Sequence, residues 1–308
     1  MKDTLVIGSR GSKLALTQAQ IVKAELELLN PSREVRIEVI KTSGDVKTDP
    51  LSVIGGKGVF TKELEDALLD RRIDLAVHSL KDLPTIIPEG LAITAICKRE
   101  DPRDAVVIRS DVFRVFPTLN DLPKESVVGT SSTRRLAQLK HFQAELIVKD
   151  IRGNVDTRLN KLDAGDYDAV VLAAAGLRRL GLGARISVLL RPQRMLPAPG
   201  QGALAVETRA DDFTTTSLVA PLDHAASRLA CEAERAFLRK LGGGCQLPIA
   251  AYAVVHEGHL SLEGLVADPE GQQIVRGRIS GARDEAEQLG CLLADRLLER
   301  GADELLDS

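Results

Sequence analysis

The chain has 308 residues, of which 44% are hydrophobic and 28% are charged, and its formal net charge is −3. This composition indicates a globular protein of two or three domains and argues against a general polyanion binder. There is no Trp, and two Tyr and six Phe are too few aromatic rings to stack the bases of single-stranded nucleic acid.

Four scattered cysteines, Cys97, Cys231, Cys245 and Cys291, are too few for a disulfide framework in a chain of this length. They form no CxxC pair, and no histidine lies near Cys245, so the sequence predicts no metal site. The sequence from Met1 onward is strand-like rather than a signal peptide, and no apolar run approaches the ~18 residues of a membrane span. We therefore expect a cytoplasmic protein without membrane or nucleic-acid partners, in which the cysteines other than Cys245 are buried, unreactive thiols.

Strand and helix signals alternate through the first hundred residues, a pattern typical of an α/β fold with a parallel sheet. The predicted elements in chain order are strand Thr4–Ile7, helix Leu14–Leu29, strand Val35–Ile40, helix Thr61–Leu69, and strands Leu75–Val77 and Leu91–Ile96. Residues 42–57 contain several glycines and a proline, and we expect a loop there.

A second α/β series follows Asp101–Asp104, a charged segment with a proline that interrupts the first series. Its predicted elements are strand Val127–Gly129, helix Thr133–His141, strand Leu146–Val148, helix Val155–Leu162 and strand Ala169–Ala173. A proline-rich crossing at 191–200 separates this series from a differently patterned region. That region is predicted to contain helix Ala225–Leu241, strands Ile249–Val255, Leu260–Ala267 and Gln273–Ile279, and helix Ala282–Arg300, which together indicate a small α+β domain.

Cys245 follows three glycines and precedes Pro248 by three residues. Glycine permits backbone conformations with positive φ and adds no side-chain bulk, so this loop can present a thiol to a ligand. Taken alone, Cys245 is either an attachment point for a covalent group or a nucleophile whose histidine partner is not evident.

Arginines recur where predicted strands end. Gly129–Arg135 opens a helix with hydroxyls and two arginines, Arg152–Arg158 repeats the arrangement after the next strand, and Arg178-Arg179 follows a third. Backbone amides at helix starts and arginine side chains both bind anions, so the repetition favours a cleft for several carboxylates. The Gly129–Arg135 motif alone is equally compatible with a solvated turn, and composition alone favours a solvated turn for His78–Pro84, which follows another strand.

These residues resemble the hydroxymethylbilane synthase, or porphobilinogen deaminase, family over essentially the whole chain. The matching stretches are Ser9–Ser12, Gly55–Phe60, Ala76–Pro84, Arg99–Ala105, Gly129–Arg135, Arg152–Asn154, Leu196–Ala203 and Gly243–Pro248. The resemblance implies a transferase of tetrapyrrole and heme biosynthesis. The implied reaction condenses four porphobilinogen molecules into the linear tetrapyrrole 1-hydroxymethylbilane and releases ammonia.

The fold that the resemblance implies has two α/β domains like type II periplasmic binding proteins and a small C-terminal α+β domain. We place the first domain at 1–100 with a return segment at 200–220, the second at 101–199 and the third at 221–308. The resemblance also implies a monomer whose product passes to uroporphyrinogen-III synthase.

The resemblance further implies a dipyrromethane cofactor joined by a thioether to Cys245, with Asp82 and Lys81 as catalytic residues. The residues implied to hold the cofactor are Ser12, Lys81, Asp82, Thr130, Ser132, Arg134, Arg135, Arg152 and Gly153. Those implied to bind substrate are Arg10, Phe60, Arg152, Arg158, Arg179, Gln201 and Arg235. The sequence departs from the family pattern only mildly, at Leu80, Thr133 and Asp156.

Two other classes of protein share a two-lobed α/β cleft. A solute-binding module would be expected to have a secretion signal and no role for Cys245 or Asp82. A regulatory ligand-binding domain would need an attached helix-turn-helix, for which the sequence has no residues to spare.

Overall fold

The computed structural model of the chain describes residues 4–42, 61–115, 118–244 and 247–306. The strands, in chain order, are β1 Thr4–Ser9, β2 Glu34–Val39, β3 Leu75–Ser79, β4 Leu91–Ile96, β5 Asp104–Ile108, β6 Val127–Gly129, β7 Ile147–Lys149, β8 Ala169–Ala173, β9 Val188–Leu189, β10 Leu204–Arg209, β11 Ile249–His256, β12 His259–Ala267 and β13 Ile274–Ala282. The helices are α1 Lys13–Leu29, α2 Lys62–Leu69, α3 Ser110–Phe113, α4 Thr133–Phe142, α5 Val155–Asp163, α6 Ala174–Arg179, α7 Phe213–Val219, α8 Ala225–Lys240, α9 Ala286–Leu298 and α10 Ala302–Leu306.

The chain divides into two compact units, the first made of Met1–Glu100 and Ala203–Arg228 and the second of Asp101–Gly202 and Leu229–Ser308. In the first unit the described strands form one sheet in the order β2-β1-β3-β10-β4. Strands β2 and β3 run parallel to β1, whereas β10 pairs antiparallel with β3 and β4. Helix α1 packs its apolar face, Ala19, Val22 and Leu26, against this sheet.

Strand β10 is absent from the sequence prediction because its second half is polar and yet buried. Glu207 lies 3.0 Å from the buried His78, measured from Oε2 to Nε2. Arg209 donates to the carbonyls of Leu68 and Ile73 at 2.9 and 2.6 Å. These partners satisfy Glu207 Oε2 and Arg209 Nη1, whereas Glu207 Oε1 and Arg209 Nε are buried without a hydrogen-bond partner among the described residues. Alternating apolar patterning would not place such groups inside a sheet.

The first sheet of the second unit has the order β7-β6-β8-β5-β9. Strand β6 runs parallel to β7 and β8, while β5 is antiparallel to β8 and β9. Alternate residues of β5 enter apolar clusters on opposite faces, with Val106 and Ile108 in one and Ala105 and Val107 in the other. A strand buried on both faces is typical of a sheet covered by helices on both sides.

The C-terminal part of the second unit is a three-stranded antiparallel sheet, β11-β12-β13, in the described residues. Helices α8 and α9 cover one face of it around Phe237 and Leu293. This α+β arrangement agrees with the three strands predicted from sequence. The prediction of buried thiols holds for Cys97 and Cys231 but is wrong for Cys291, which is half-buried at the edge of the packed face of α9, beside the exposed Leu292.

Within the second unit, the other face of the three-stranded sheet packs on helix α4 and on the proline-rich crossing. The shared apolar cluster consists of Ala137, Leu196, Ala250, Leu265 and Ala267. Arg276 of β13 donates to the carbonyls of Pro192 and Gln193, each at 2.9 Å. Residues 101–202 and 229–306 therefore pack as one compact unit, and the division of that unit into two domains stays a prediction.

The turn between β12 and β13 also contacts helix α4. Gly271 there has a φ of +70°, and its carbonyl lies 3.2 Å from Nδ1 of His141 on α4. A Cβ at Gly271 would stand 2.1 Å from the carbonyl oxygen of Ala137. At Gly258, with a φ of +82°, a Cβ would meet no described atom within 4 Å.

Comparing Gly258 with Gly271 predicts the effect of adding one methyl group at each position. Both Gly258→Ala and Gly271→Ala carry the penalty of a left-handed residue, about 1–2 kcal/mol. Gly271→Ala also forces α4 and the turn apart, which adds about 1–3 kcal/mol as in an overpacked core. The free energies of unfolding in urea measure both, and equal losses in the two variants would contradict the contact between this turn and α4.

Candidate active site

The turn that follows strand β3 carries the predicted catalytic residues. Leu80–Asp82 form a single turn of 3-10 helix, and the Leu80 amide donates to the Ala203 carbonyl at 3.0 Å. Leu80 is buried, Lys81 is half-buried and Asp82 is exposed. The turn is thus fixed by a buried side chain and a backbone hydrogen bond, while the Asp82 carboxylate stays open to a ligand.

Buried polar contacts also hold the end of β3. His78 Nε2 lies 3.0 Å from Glu207 Oε2 of β10, and Gln18 Nε2 of α1 donates to Ser79 Oγ at 2.9 Å. Each contact removes a buried polar group from water and replaces its lost hydrogen bond. The residues immediately before the Asp82 turn are therefore tied to two neighbouring elements.

Strand β1 lies parallel and adjacent to β3, so the residues after both strands share one edge of the sheet. Arg10 follows β1 directly and is half-buried. Ser12 caps helix α1, and its Oγ accepts from the Ala15 amide at 3.3 Å. In the first unit the structure therefore brings Arg10 and Ser12 to the sheet edge that also carries Lys81 and Asp82.

In the second unit, predicted hydroxyl residues build the start of helix α4. Thr130 is buried, and its Oγ1 accepts from the Ser132 amide at 3.2 Å. Ser132 Oγ in turn accepts from the Arg135 amide at 3.4 Å as the N-cap of α4. This capping places Arg134 and Arg135 in the first turn of the helix.

The guanidinium groups of these two arginines converge on Asp104, which is 0% exposed. Arg134 donates to its carboxylate through Nη1 at 2.7 Å and Nη2 at 3.3 Å. Arg135 donates through Nε at 3.0 Å and Nη2 at 2.7 Å. Gln201 Nε2 adds a hydrogen bond at 2.9 Å, so three predicted ligand-binding side chains meet on one buried carboxylate.

Backbone carbonyls hold the same side chains from other directions. Arg134 Nη1 donates to Leu196 O at 2.7 Å, and Arg135 Nη1 donates to Val171 O at 2.9 Å. Gln201 Nε2 also donates to Pro102 O at 2.7 Å. The guanidinium planes are therefore fixed by several partners each.

The charges around Asp104 do not balance. Burial raises the pKa of Asp104, but Arg134 and Arg135 hold it well below its usual range, so the carboxylate is ionised. Burial, opposed by Asp104, lowers the pKa of Arg134. One carboxylate balances only one of the two guanidinium groups, and the start of α4 adds the positive end of a helix dipole. The excess of positive charge suits an anionic ligand.

Two more predicted arginines extend this positive region near the start of α5. Arg152 Nε donates to Asp150 Oδ2 at 2.7 Å, and Arg158 Nε donates to the Gly153 carbonyl at 2.8 Å. Burial, followed by the positive charges of Arg135 and Arg152, lowers the pKa of Arg158. The repulsion indicates that Arg158 lies near Arg135 and Arg152, so positive charge is present at the ends of neighbouring strands.

The other predicted arginines are held by separate contacts. Arg179 Nη2 donates to the Gly202 carbonyl at 2.6 Å, directly after Gln201 in the chain. Arg178, beside it, is exposed and lies 3.3 Å from Asp101. Arg235 is buried on helix α8. Of the predicted set, the contacts around Asp104 join Arg134, Arg135 and Gln201, and they do not include Arg179 or Arg235.

Two predicted site residues, Cys245 and Phe60, lie outside the described residues. The structure does describe the approach to Cys245: Gly242, with a φ of +66°, and Gly243 close the end of helix α8 through hydrogen bonds to the carbonyls of Arg239 and Leu238. The described residues contain no group of three His, Cys, Asp or Glu side chains that could hold a metal ion. None of the described helices combines the length and apolar character needed to cross a membrane.

Asp104 is the residue of this site that sequence reasoning missed. It lies in the Arg99–Ala105 stretch that resembles the family, and this is the one signal that could have singled it out. Nothing local in the sequence distinguishes it from Asp101, because its partners come from two distant segments, the start of α4 and Gln201.

Among solved structures, the chain is similar to the BenM effector binding domain with its effector benzoate, at 17% identity and a TM-score of 0.42. That match covers 72% of this chain and 90% of the other. It is also similar to the periplasmic VFT2 domain of BvgS from Bordetella pertussis, at 14% identity and a TM-score of 0.41, covering 71% and 86%. At such scores these similarities support no conclusion about a ligand.

Two family models match the sequence itself. The porphobilinogen deaminase dipyromethane cofactor binding domain matches residues 5–217, and the porphobilinogen deaminase C-terminal domain matches residues 228–299. With the two mixed sheets and the small antiparallel sheet, they confirm the predicted fold class, the transferase function in tetrapyrrole and heme biosynthesis, the porphobilinogen substrate and the dipyrromethane cofactor. Because the two matches span nearly the whole chain, it belongs to the porphobilinogen deaminase family, the hydroxymethylbilane synthases.

Proposed function

We propose that Asp82 is the catalytic carboxylate of this hydroxymethylbilane synthase, assisted by Lys81, and that Cys245 holds the dipyrromethane cofactor through a thioether. We propose further that the arginines of the second unit bind carboxylates of the cofactor and the substrate. The observation that carries the proposal is the uncompensated positive charge where Arg134 and Arg135 share one buried carboxylate.

The chemistry of these donors fits the cofactor. Each pyrrole derived from porphobilinogen carries an acetate and a propionate, and the planar guanidinium group binds carboxylates through paired N–H groups. Of five N–H groups on each guanidinium, Arg134 and Arg135 each use three on Asp104 and on backbone carbonyls. The other two on each have no acceptor among the described residues, so they can bind a ligand carboxylate. When bound, the cofactor supplies the free pyrrole carbon to which the first substrate is attached.

The position of Asp82 suits the charge that develops on the substrate. As the C–N bond of the protonated aminomethyl group breaks, ammonia leaves with the bonding electrons and the positive charge passes to the pyrrole. A carboxylate fixed nearby stabilises that cation and accepts a hydrogen bond from the pyrrole N–H. Asp82 is exposed on a turn that the buried Leu80 fixes, so it needs little reorganisation to act.

The remaining predicted residues are assigned to binding. We assign Ser12, Lys81, Asp82, Thr130, Ser132, Arg134, Arg135, Arg152 and Gly153 to the cofactor. We assign Arg10, Phe60, Arg152, Arg158, Arg179, Gln201 and Arg235 to the substrate and the growing chain. Ser12 and Ser132 cap the helices α1 and α4, which supports a role through the backbone amides of these helix starts.

We also propose that the protein is a cytoplasmic monomer whose product passes to uroporphyrinogen-III synthase. Four scattered cysteines are too few for a disulfide framework, which fits a reducing compartment. The monomeric state and the transfer of product rest on the family resemblance.

The Asp82→Asn variant tests the catalytic carboxylate. We expect kcat to fall by at least about 100-fold, the loss typical of removing one electrostatic stabiliser of a transition state. The melting temperature should hardly change, because Asp82 is exposed. Porphobilinogen consumption and thermal unfolding measure the two effects.

Asp70→Asn is the matched control, since Asp70 is an exposed carboxylate of the same unit at the end of α2. Its kcat should stay within twofold of the wild type. Near-normal turnover by Asp82→Asn would refute the catalytic assignment.

Intact mass tests the attachment to Cys245. Purified protein should be heavier than its sequence by one dipyrromethane, and Cys245→Ser should have the bare sequence mass. Cys291→Ser, which removes another partly accessible thiol, should keep the added mass. A Cys245→Ser protein that still carries the two pyrroles would overturn the assignment.

Arg152 has a matched control in the first unit. Arg152 and Arg36 each form an exposed ion pair through Nε with the carboxylate two residues earlier, at 2.7 and 2.8 Å. Arg152→Leu should raise KM for porphobilinogen about tenfold or more, since a hydrogen bond to a charged group contributes about 1.5–3 kcal/mol. Arg36→Leu should leave KM within twofold, and both should lose at most about 1 kcal/mol of stability. Equal KM values would mean that Arg152 only carries surface charge.

A further inference from the structure

Asp104 has no part in the assignments above, yet five hydrogen bonds from proposed ligand-binding side chains end on it. It is the first residue of strand β5, and it is wholly buried. Arg134 and Arg135 reach it from helix α4, and Gln201 reaches it from the end of the crossing segment. A single carboxylate therefore sets the orientation of three side chains from two separate parts of the second unit, helix α4 and Gln201.

A purely structural role explains this arrangement poorly. Well-packed apolar residues often stabilise a core as well as a buried ion pair does, because burying the charges costs desolvation. One arginine would neutralise Asp104, whereas the second adds buried positive charge at the positive end of the α4 dipole. The extra charge becomes favourable only when an anion binds there.

The directions of the guanidinium groups are also restricted. Arg134 is held between Asp104 and the Leu196 carbonyl, and Arg135 is held between Asp104 and the Val171 carbonyl. Because the guanidinium group is planar, fixing three of its N–H groups fixes the directions of the other two. The remaining donors are thus oriented before a ligand arrives, which lowers the entropic cost of binding.

We propose that Asp104 is a positioning residue for the cofactor and the substrate. It holds the Arg134 and Arg135 guanidinium groups and the Gln201 amide in the orientation that receives ligand carboxylates. This inference rests on the proposed function of the two arginines and extends it to a residue that touches no ligand.

The test compares Asp104→Glu and Asp104→Asn with a matched control, Asp74→Asn. The glutamate keeps the charge but moves the carboxylate by one methylene, while the asparagine keeps the shape and removes the charge. Asp74 is likewise a buried aspartate, which accepts from the Val6 amide at 2.9 Å and lies 3.5 Å from the buried Arg209, but it belongs to the first unit. Intact mass gives the fraction of protein carrying dipyrromethane, thermal unfolding gives stability, and steady-state kinetics of the loaded fraction give kcat and KM.

We expect Asp104→Glu to fold, to carry at most half the wild-type cofactor, and to raise KM for porphobilinogen at least fivefold with a smaller change in kcat. Asp74→Asn should lose thermal stability while keeping cofactor content and KM. Full cofactor content and a KM within twofold of wild type in a folded Asp104 variant would overturn the proposal. So would failure of both Asp104 variants to fold, which would make the residue structural.

The wild-type protein separates this inference from the proposed function. Wild-type protein that carries no dipyrromethane and consumes no porphobilinogen would remove the function on which the inference rests. If the wild type carries dipyrromethane and is active, and the Asp104 variants match it in cofactor content and KM, only the proposed role of Asp104 would be refuted.

Discussion

The buried carboxylate of Asp104 is the constraint on which the second unit depends. It joins the first residue of β5 to the first turn of α4 and, through Gln201, to the end of the crossing segment. Removing one partner of a buried ion pair costs about 3–5 kcal/mol, because the other charge is left uncompensated. That is a large part of the roughly 5–15 kcal/mol that keeps an ordinary domain folded. The same contact therefore contributes to the stability of this unit and sets the directions of its arginines.

This constraint explains why the arginines can be buried and still serve a ligand. An arginine on the surface would reach a carboxylate with a flexible side chain and would lose entropy on binding. Here Asp104 and backbone carbonyls have already fixed Arg134 and Arg135, and Ser132 places both in the first turn of α4. Burial, and then the positive charge of Arg135, lower the pKa of Arg158, as expected where positive groups lie at neighbouring strand ends. A substrate that gains carboxylates as it grows matches such a region.

The sequence predicts those features that depend on local pattern. Alternating strands and helices predict both α/β sheets, although the predicted parallel order is wrong for the antiparallel strands β10 and β5. The predicted helix Ala225–Leu241 agrees with the observed Ala225–Lys240, which Gly242 and Gly243 close. Strand β10 escapes prediction because Glu207 and Arg209 are buried by partners far away in the chain. Asp104 escapes for the same reason. Sequence patterns therefore predict residues whose role follows from their neighbours along the chain. They do not predict buried polar residues whose partners are distant in sequence.

The crossing segment extends the constraint to the helix that leads to Cys245. Glu234 of α8 is wholly buried, and its carboxylate accepts from the amides of Gly200 and Ala253, each at 2.7 Å. Gly200 precedes Gln201, whose side chain holds Asp104 at 2.9 Å. One run of buried hydrogen bonds therefore connects the helix before the proposed anchor to the arginines proposed to hold carboxylates. Because α8 and the arginine-bearing strand ends are fixed to each other within one unit, elongation cannot rely on separating them without breaking these bonds.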